Sequence, residues 1–362
     1  MPGENFAGLE KIIVRRQSKG YLVVTRRMGM RFSDQKLMRQ LPCRPSGGLI
    51  AAAVCAVLLA AAGPLHAVIV QGGRNISGTL DSSGRNLNPA PDNLGNYVGG
   101  FFGFLGTPIS PQYFVTANHI TSATSGTFIY DNGTSTTTSY SATLAGVEDD
   151  LAIWKISDSG PAFSLYAPLY TSSTEVGQSL IVLGLGTSRG AAVFNASNQQ
   201  VGWQWGSNDG QLSWGAGTVG NIVTMNMPGF GGDFLPFAFS RVTDSQGNLL
   251  NPDTGILSSG DSGGPIFVKD PADGVYKLAG VNSLVDSVST TANGTALTDA
   301  LYDQRGFYNG SMLISGPQPI PMNSYDTRIS SRIAFIDSVV PEPATGLAAV
   351  LIPAVLLRRK RA

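Results

Sequence analysis

The 362-residue sequence is short of cysteine, histidine and charge, and each shortage narrows what the chain can be. Its two cysteines, Cys43 and Cys55, both precede residue 68, so the body of the chain is stabilised by packing without disulfides. Its two histidines are His66 and His119. Once an N-terminal leader is removed, His119 is the only side chain whose ordinary pKa lies near neutrality, and any mechanism that needs an imidazole base must use it. Charged residues make up only 13% of the chain, and they are unevenly spread. Residues 1–67 hold ten Lys/Arg against three acids, and Arg358–Arg361 add four basic groups. That leaves ten Lys/Arg against twenty Asp/Glu over 68–338, an acidic body that argues against nucleic-acid binding. Long helical periodicity is also missing. Short Val/Ile/Phe/Tyr/Thr runs alternate with Gly/Asn/Ser/Asp turns instead, which predicts an all-β chain.

Both ends read as addresses. Gly47 to Gly63 is an apolar run preceded by Arg39 and Arg44 and followed by Leu65-His66-Ala67, a small-residue cleavage site. Together these predict a secretory signal peptide within a 1–67 leader, with a membrane anchor as the alternative and Met28, Met30 or Met38 as alternative starts. At the other end, Val340-Pro341-Glu342-Pro343 precedes the apolar Ala344–Leu357 and the basic Arg358–Arg361. As a helix that apolar segment covers about 21 Å, short of the roughly 30 Å hydrocarbon core, and its basic flank stays cytoplasmic. The tripartite tail, 339–362, resembles the PEP-CTERM sorting signal of bacterial surface proteins. The resemblance implies transient inner-membrane association, removal of the tail by an exosortase, and export to the envelope surface or extracellular matrix. The processing partners are then a signal peptidase and an exosortase-type enzyme.

Three segments carry chemistry. The first is Gly106 to His119, GTPISPQYFVTANH, in which the alternating strand Tyr113–Ala117 runs into the histidine. The second is Asp150-Leu151-Ala152-Ile153-Trp154-Lys155-Ile156. An aspartate opening an apolar strand is costly to bury unless its carboxylate is hydrogen-bonded, and orienting an imidazole is a role that requires such burial. The third is Gly260-Asp261-Ser262-Gly263-Gly264-Pro265, followed by the apolar Ile266-Phe267-Val268. A serine hydroxyl needs a base to attack an amide. Flanking glycines let the backbone take unusual torsions and aim its N–H groups at a developing oxyanion.

These segments resemble the trypsin/chymotrypsin family, in which a T-A-x-H turn, a D-[IL]-A-L-x-K strand and a G-D-S-G-G-P loop supply the triad. The departure is Asn118, where the family usually has alanine. The resemblance spans about 95–290 of a 68–338 protease domain and weakens between about 190 and 250. It implies two packed six-stranded antiparallel β-barrels with the active site in the cleft between them. His119, Asp150 and Ser262 are then catalytic, and the amides of Gly260 and Ser262 form the oxyanion hole. Ile256, Ser283 and Val285 are expected at the substrate pocket, favouring cleavage after small or medium apolar residues, with Asp253 as an alternative pocket residue. The substrate is a polypeptide, and no cofactor or metal is required. Removing 1–67 leaves Val68-Ile69-Val70-Gln71-Gly72-Gly73, loosely like the I-V-G-G terminus whose new amino group pairs, in the family, with the aspartate before the nucleophile, here Asp261.

Other readings have less support. Gly260–Gly264 also satisfies the G-x-S-x-G elbow of α/β-hydrolases, but that fold places its histidine after the serine, and none follows Ser262. Asp253-Thr254-Gly255 lacks the preceding apolar strand and second copy of an aspartic protease. Trp203, Trp205 and Trp214 line a cleft or pack an insert. The competing functions are a noncatalytic surface or matrix-binding protein on a protease scaffold, and an esterase using the same triad.

Overall fold

The computed structural model describes residues 68–134, 136–208, 210–286 and 298–341. The expected signal peptide lies outside the described residues, as does the tail beyond Pro341. Among the described residues no helix is long and apolar enough to cross a membrane.

The described chain is nearly all strand. After the short β1 (Ile69–Val70), six strands close a barrel in the order β2-β3-β4-β7-β6-β5. They are β2 (Gly99–Phe101), β3 (Phe104–Ser110), β4 (Tyr113–Ala117), β5 (Ser125–Tyr130), β6 (Thr138–Glu148) and β7 (Leu151–Ile156). Period-two alternation places Phe101, Phe114, Phe128, Tyr130, Tyr140 and Trp154 inside the barrel, joined by Phe163 from the following loop. Phe114 stacks on Phe128 at 4.1 Å and 16°, while Phe101 meets Trp154 edge-on at 4.7 Å. Such ring pairs add about 0.5–1.5 kcal/mol each beyond their buried area. This aromatic filling stabilises a barrel that has no disulfide.

The second half continues through β8 (Ser179–Gly184), β9 (Thr187–Phe194), β10 (Gln200–Asn208), β11 (Ser213–Thr218), β12 (Val223–Met227), β13 (Phe230–Ala238) and β14 (Gly255–Ile256). It ends with β15 (Pro265–Lys269), β16 (Tyr276–Val285), β17 (Asp299–Leu301), the small pair β18 (Tyr308–Asn309) and β19 (Met312–Leu313), β20 (Asn323–Arg328) and a terminal helix α1 (Ile333–Val339). Seven of these strands form an antiparallel sheet in the order β11-β8-β15-β16-β20-β13-β12. Its apolar face buries Leu180, Val182, Leu235, Phe237, Ile266, Val268 and Ala279 together with Val68 and Val70. The all-β expectation therefore holds, and the arrangement is consistent with a chymotrypsin-like plan of two β bodies. The second body has seven strands in its main sheet, where six were expected.

The segment that sequence left unplaced builds two additions. One is the sheet β17-β10-β9, which packs Trp203 and Ala300 against Ile69, Ile256, Phe239 and Met322. Trp203 is buried there, with the Arg189 guanidinium 4.5 Å over its ring, and Trp214 is buried with its indole N–H donated to Asn88 O. These two tryptophans are packing residues, while Trp205 is half-buried at the margin of the same cluster. The other addition is the β12–β13 hairpin, joined to β20 through β13.

Candidate active site

The register of two barrel strands brings the first pair of candidate residues together. Antiparallel β4 and β7 pair Thr116 with Ala152 and Ala117 with Leu151. One step further, the Asn118 amide donates to Asp150 O at 2.9 Å. A single 3-10 turn, Asn118–Ile120, then swings His119 back over the start of β7. The His119 backbone N–H donates to Asp150 Oδ1 at 3.0 Å, and Nδ1 of the ring lies 2.9 Å from both carboxylate oxygens. Asp150 is completely buried and also accepts a short hydrogen bond from the Ser283 hydroxyl. A carboxylate only accepts, so Nδ1 carries the proton and Nε2 is left as the acceptor. Nε2 lies 2.8 Å from Ser262 Oγ. The imidazole is about 30% exposed, so one face remains open to solvent.

Ser262 comes from the other body, in the loop that leads into β15. Two glycines there have left-handed torsions, Gly260 at φ +101° and Gly263 at φ +77°. A Cβ on Gly263 would meet Thr116 Oγ1 at 2.2 Å and Leu105 O at 2.3 Å, so the loop is pressed against the barrel where only glycine fits. Among the described residues, no acceptor takes the amides of Gly260 and Ser262, which leaves two donors free beside the serine.

Asp261 turns the opposite way, into the interior of the second body. It is buried and accepts from the amides of Ser258 and Gly186 at 2.7 Å, from Ser258 Oγ at 3.1 Å and from the Val68 N–H at 3.4 Å. Burial outweighs these donors and pushes its pKa from 3.8 to about 6. Asp326 on β20 is buried, and among the described residues neither of its carboxylate oxygens has a partner. Desolvation and the nearby Asp261 charge push it well above the ordinary carboxylate range.

The other sequence candidates fall in different places. Ser283, expected at the substrate pocket, has its hydroxyl on Asp150. Ile256 pairs with Ile69 and is fully buried in the cluster around Trp203. Val285 is half-buried and bridges the two apolar clusters of the second body. Asp253 is taken up by Arg74 through two hydrogen bonds, at 2.6 and 2.8 Å. Asn118, the departure from the family pattern, donates its side-chain amide to Asp149 O at 3.2 Å. Sequence reasoning missed Phe230, whose ring lies 5.6 Å from the His119 ring, and no motif signalled it.

No protein-family model matches this sequence, and no curated protein is similar to it. Among solved structures the chain is similar to one titled "HtrA-type protease AlgW with decapeptide", at 16% identity and a TM-score of 0.35. That likeness covers 65% of this chain and 50% of that chain, so the chain spans about half the length of the protein it matches.

Proposed function

We propose that this chain is an exported serine endopeptidase that hydrolyses polypeptides through His119, Asp150 and Ser262. The observation that carries the reading is the unbroken polar line from a fully buried Asp150, through His119 at 2.9 Å, to Ser262 at 2.8 Å. Three groups far apart in sequence meet there in the order base-orienting acid, base, nucleophile.

In the reaction, Ser262 Oγ bonds to the substrate carbonyl carbon while His119 Nε2 takes its proton. The carbonyl pair moves onto oxygen and is met by the amides of Gly260 and Ser262. Collapse expels the amine, which receives the proton from His119 and leaves an ester on Ser262. Water then attacks that ester, with His119 again as base, and as the acid leaves His119 returns the proton to Ser262 Oγ. Asp150 keeps its negative charge throughout, fixes the ring tautomer and stabilises the imidazolium, with Ser283 holding it in place. This chemistry takes no cofactor.

Maturation completes the reading. Signal peptidase cuts after Ala67, and an exosortase-type enzyme removes the tail after transient inner-membrane association, which delivers the protein to the envelope surface or matrix. Cutting before Val68 creates an ammonium at an atom that already lies 3.4 Å from Asp261 Oδ1. The cut also abolishes the Val68 φ torsion, held at +38°, where β-branched residues are strained. The test is hydrolysis of peptide and ester libraries by the processed protein and by Ser262→Ala. Peptide cleavage lost in the variant is expected. Ester cleavage without peptide cleavage would refute the endopeptidase assignment.

A further inference from the structure

The β12–β13 hairpin brings an apolar surface to the candidate site. Phe230, the first residue of β13, tilts its ring 39° to the His119 ring at 5.6 Å and stays half-exposed. Met227 is its cross-strand partner and is 49% exposed, so the two apolar side chains lie together on one face of the hairpin. The position is firmly set. A Cβ on Gly231 would meet Asp149 Oδ1 at 2.4 Å, so the hairpin backbone is pressed against the residue before Asp150. The buried Arg332 guanidinium donates to Gly231 O at 2.7 Å and Asp233 O at 3.0 Å, fixing the hairpin from below.

A second observation gives the direction of a bound chain. β15 pairs with β16 only as far as Val281, whereas β20 pairs with it as far as Val285. From Ser283 to Val285, one edge of β16 therefore has no strand partner among the described residues. An extended peptide adding to that edge gains main-chain hydrogen bonds and is led toward Ser262. Neighbouring Cα atoms are about 3.8 Å apart. The residue just before the attacked one must then pass over the imidazole that lies 2.8 Å from Ser262 Oγ. Its side chain falls against Phe230.

We propose that Phe230, with Met227 beside it, is a specificity-determining wall. It selects substrates with a bulky apolar side chain immediately N-terminal to the residue whose carbonyl is attacked. The proposal rests on the peptidase reading above. Covering a half-exposed ring with a second apolar side chain removes surface from water on both, which a glycine at the same place cannot do.

The test uses processed protein and peptide pairs that differ only at that residue, leucine against glycine. Wild type should favour leucine by roughly tenfold or more in kcat/KM, the range that apolar pocket contacts supply. Phe230→Ala should bring the ratio within about twofold, and Phe230→Leu should keep most of it. Labelling of Ser262 by a small fluorophosphonate in all three proteins establishes that each is folded and assembled. An unchanged ratio in labelled Phe230→Ala overturns the wall and leaves the peptidase reading standing. A leucine preference found only on the leaving-group side overturns it too. A wild-type protein that neither labels nor cleaves removes the peptidase reading and this inference with it.

Discussion

Asp261 gives the sharpest test of how the second body is assembled. Its carboxyl is completely buried and raised from 3.8 to about 6 while Val68 is an ordinary amide. The unfolded chain therefore loses that proton at lower pH than the folded chain does. The stability Asp261 contributes is fully present below about pH 4 and is lost as pH rises through 6. A shift of about two pK units, at about 1.4 kcal/mol each, is worth about 3 kcal/mol, most of it lost between about pH 4 and pH 7. A free ammonium at Val68 reverses the sign of the local field and keeps the carboxylate ionised at little cost. The perturbation is a pair of proteins, one beginning at Val68 and one carrying residues ahead of it, each with and without Asp261→Asn. Urea unfolding across pH 4–8 measures all four, and subtracting the Asn variant removes the groups that titrate independently of Asp261, leaving Asp261 together with the part of the Asp326 titration that its charge governs. In the extended protein the difference should fall by about 2–3 kcal/mol toward pH 7, and in the Val68 protein that fall should vanish. Equal pH dependence in the two proteins would refute the pairing of the new terminus with Asp261.

Four further outcomes follow from the same geometry. Ser262→Ala and His119→Ala should each lower peptidase activity by several orders of magnitude with the fold intact, and the double variant should be scarcely worse than either, because the triad acts as a unit. Ser283→Ala removes one charge-assisted hydrogen bond from buried Asp150, so kcat should fall by about 10- to 150-fold, matching the roughly 1.5–3 kcal/mol of such bonds, with KM little changed in steady-state assays. Cleavage should follow small or medium apolar residues, since Asp253 is taken by Arg74; a clear preference for arginyl over alanyl or valyl peptides would count against this. Deleting 340–362 should change where the protein is found, by fractionation, and leave its kcat/KM as it was.

The parts of the fold that were legible in the sequence are those where local pattern and chemistry coincide. The alternation in Tyr113–Ala117 and the apolar run Leu151–Ile156 marked adjacent strands, and the polar residue at the end of each run marked the site. Gly260–Pro265 was legible because only glycine tolerates the torsions and close approaches of that loop. Ser283 was seen as part of the right strand but not as the partner of Asp150, because that contact joins residues 133 apart and leaves no local trace. The hairpin bearing Phe230 was illegible for a related reason. Met225, Met227 and Phe230 look like any apolar strand, and what brings them to His119 is the buried Arg332, a hundred residues on. Trp203 and Trp214 carried an ambiguous signal that burial decided in favour of packing. The extra strand of the second sheet follows from the β12–β13 hairpin, which adds β12 at its edge.

The central claim is that Ser262 is an activated nucleophile. The direct measurement is stoichiometric reaction of the processed protein with a fluorophosphonate, followed by mass mapping of the modified peptide and a rate profile against pH. The account predicts one adduct per chain, on Ser262, formed at a rate governed by a single ionisation, since His119 would be the only imidazole in the mature chain. The adduct should be abolished in Ser262→Ala and slowed by several orders of magnitude in His119→Ala. Intact, folded protein that forms no adduct on Ser262, or reacts equally fast without His119, would contradict it.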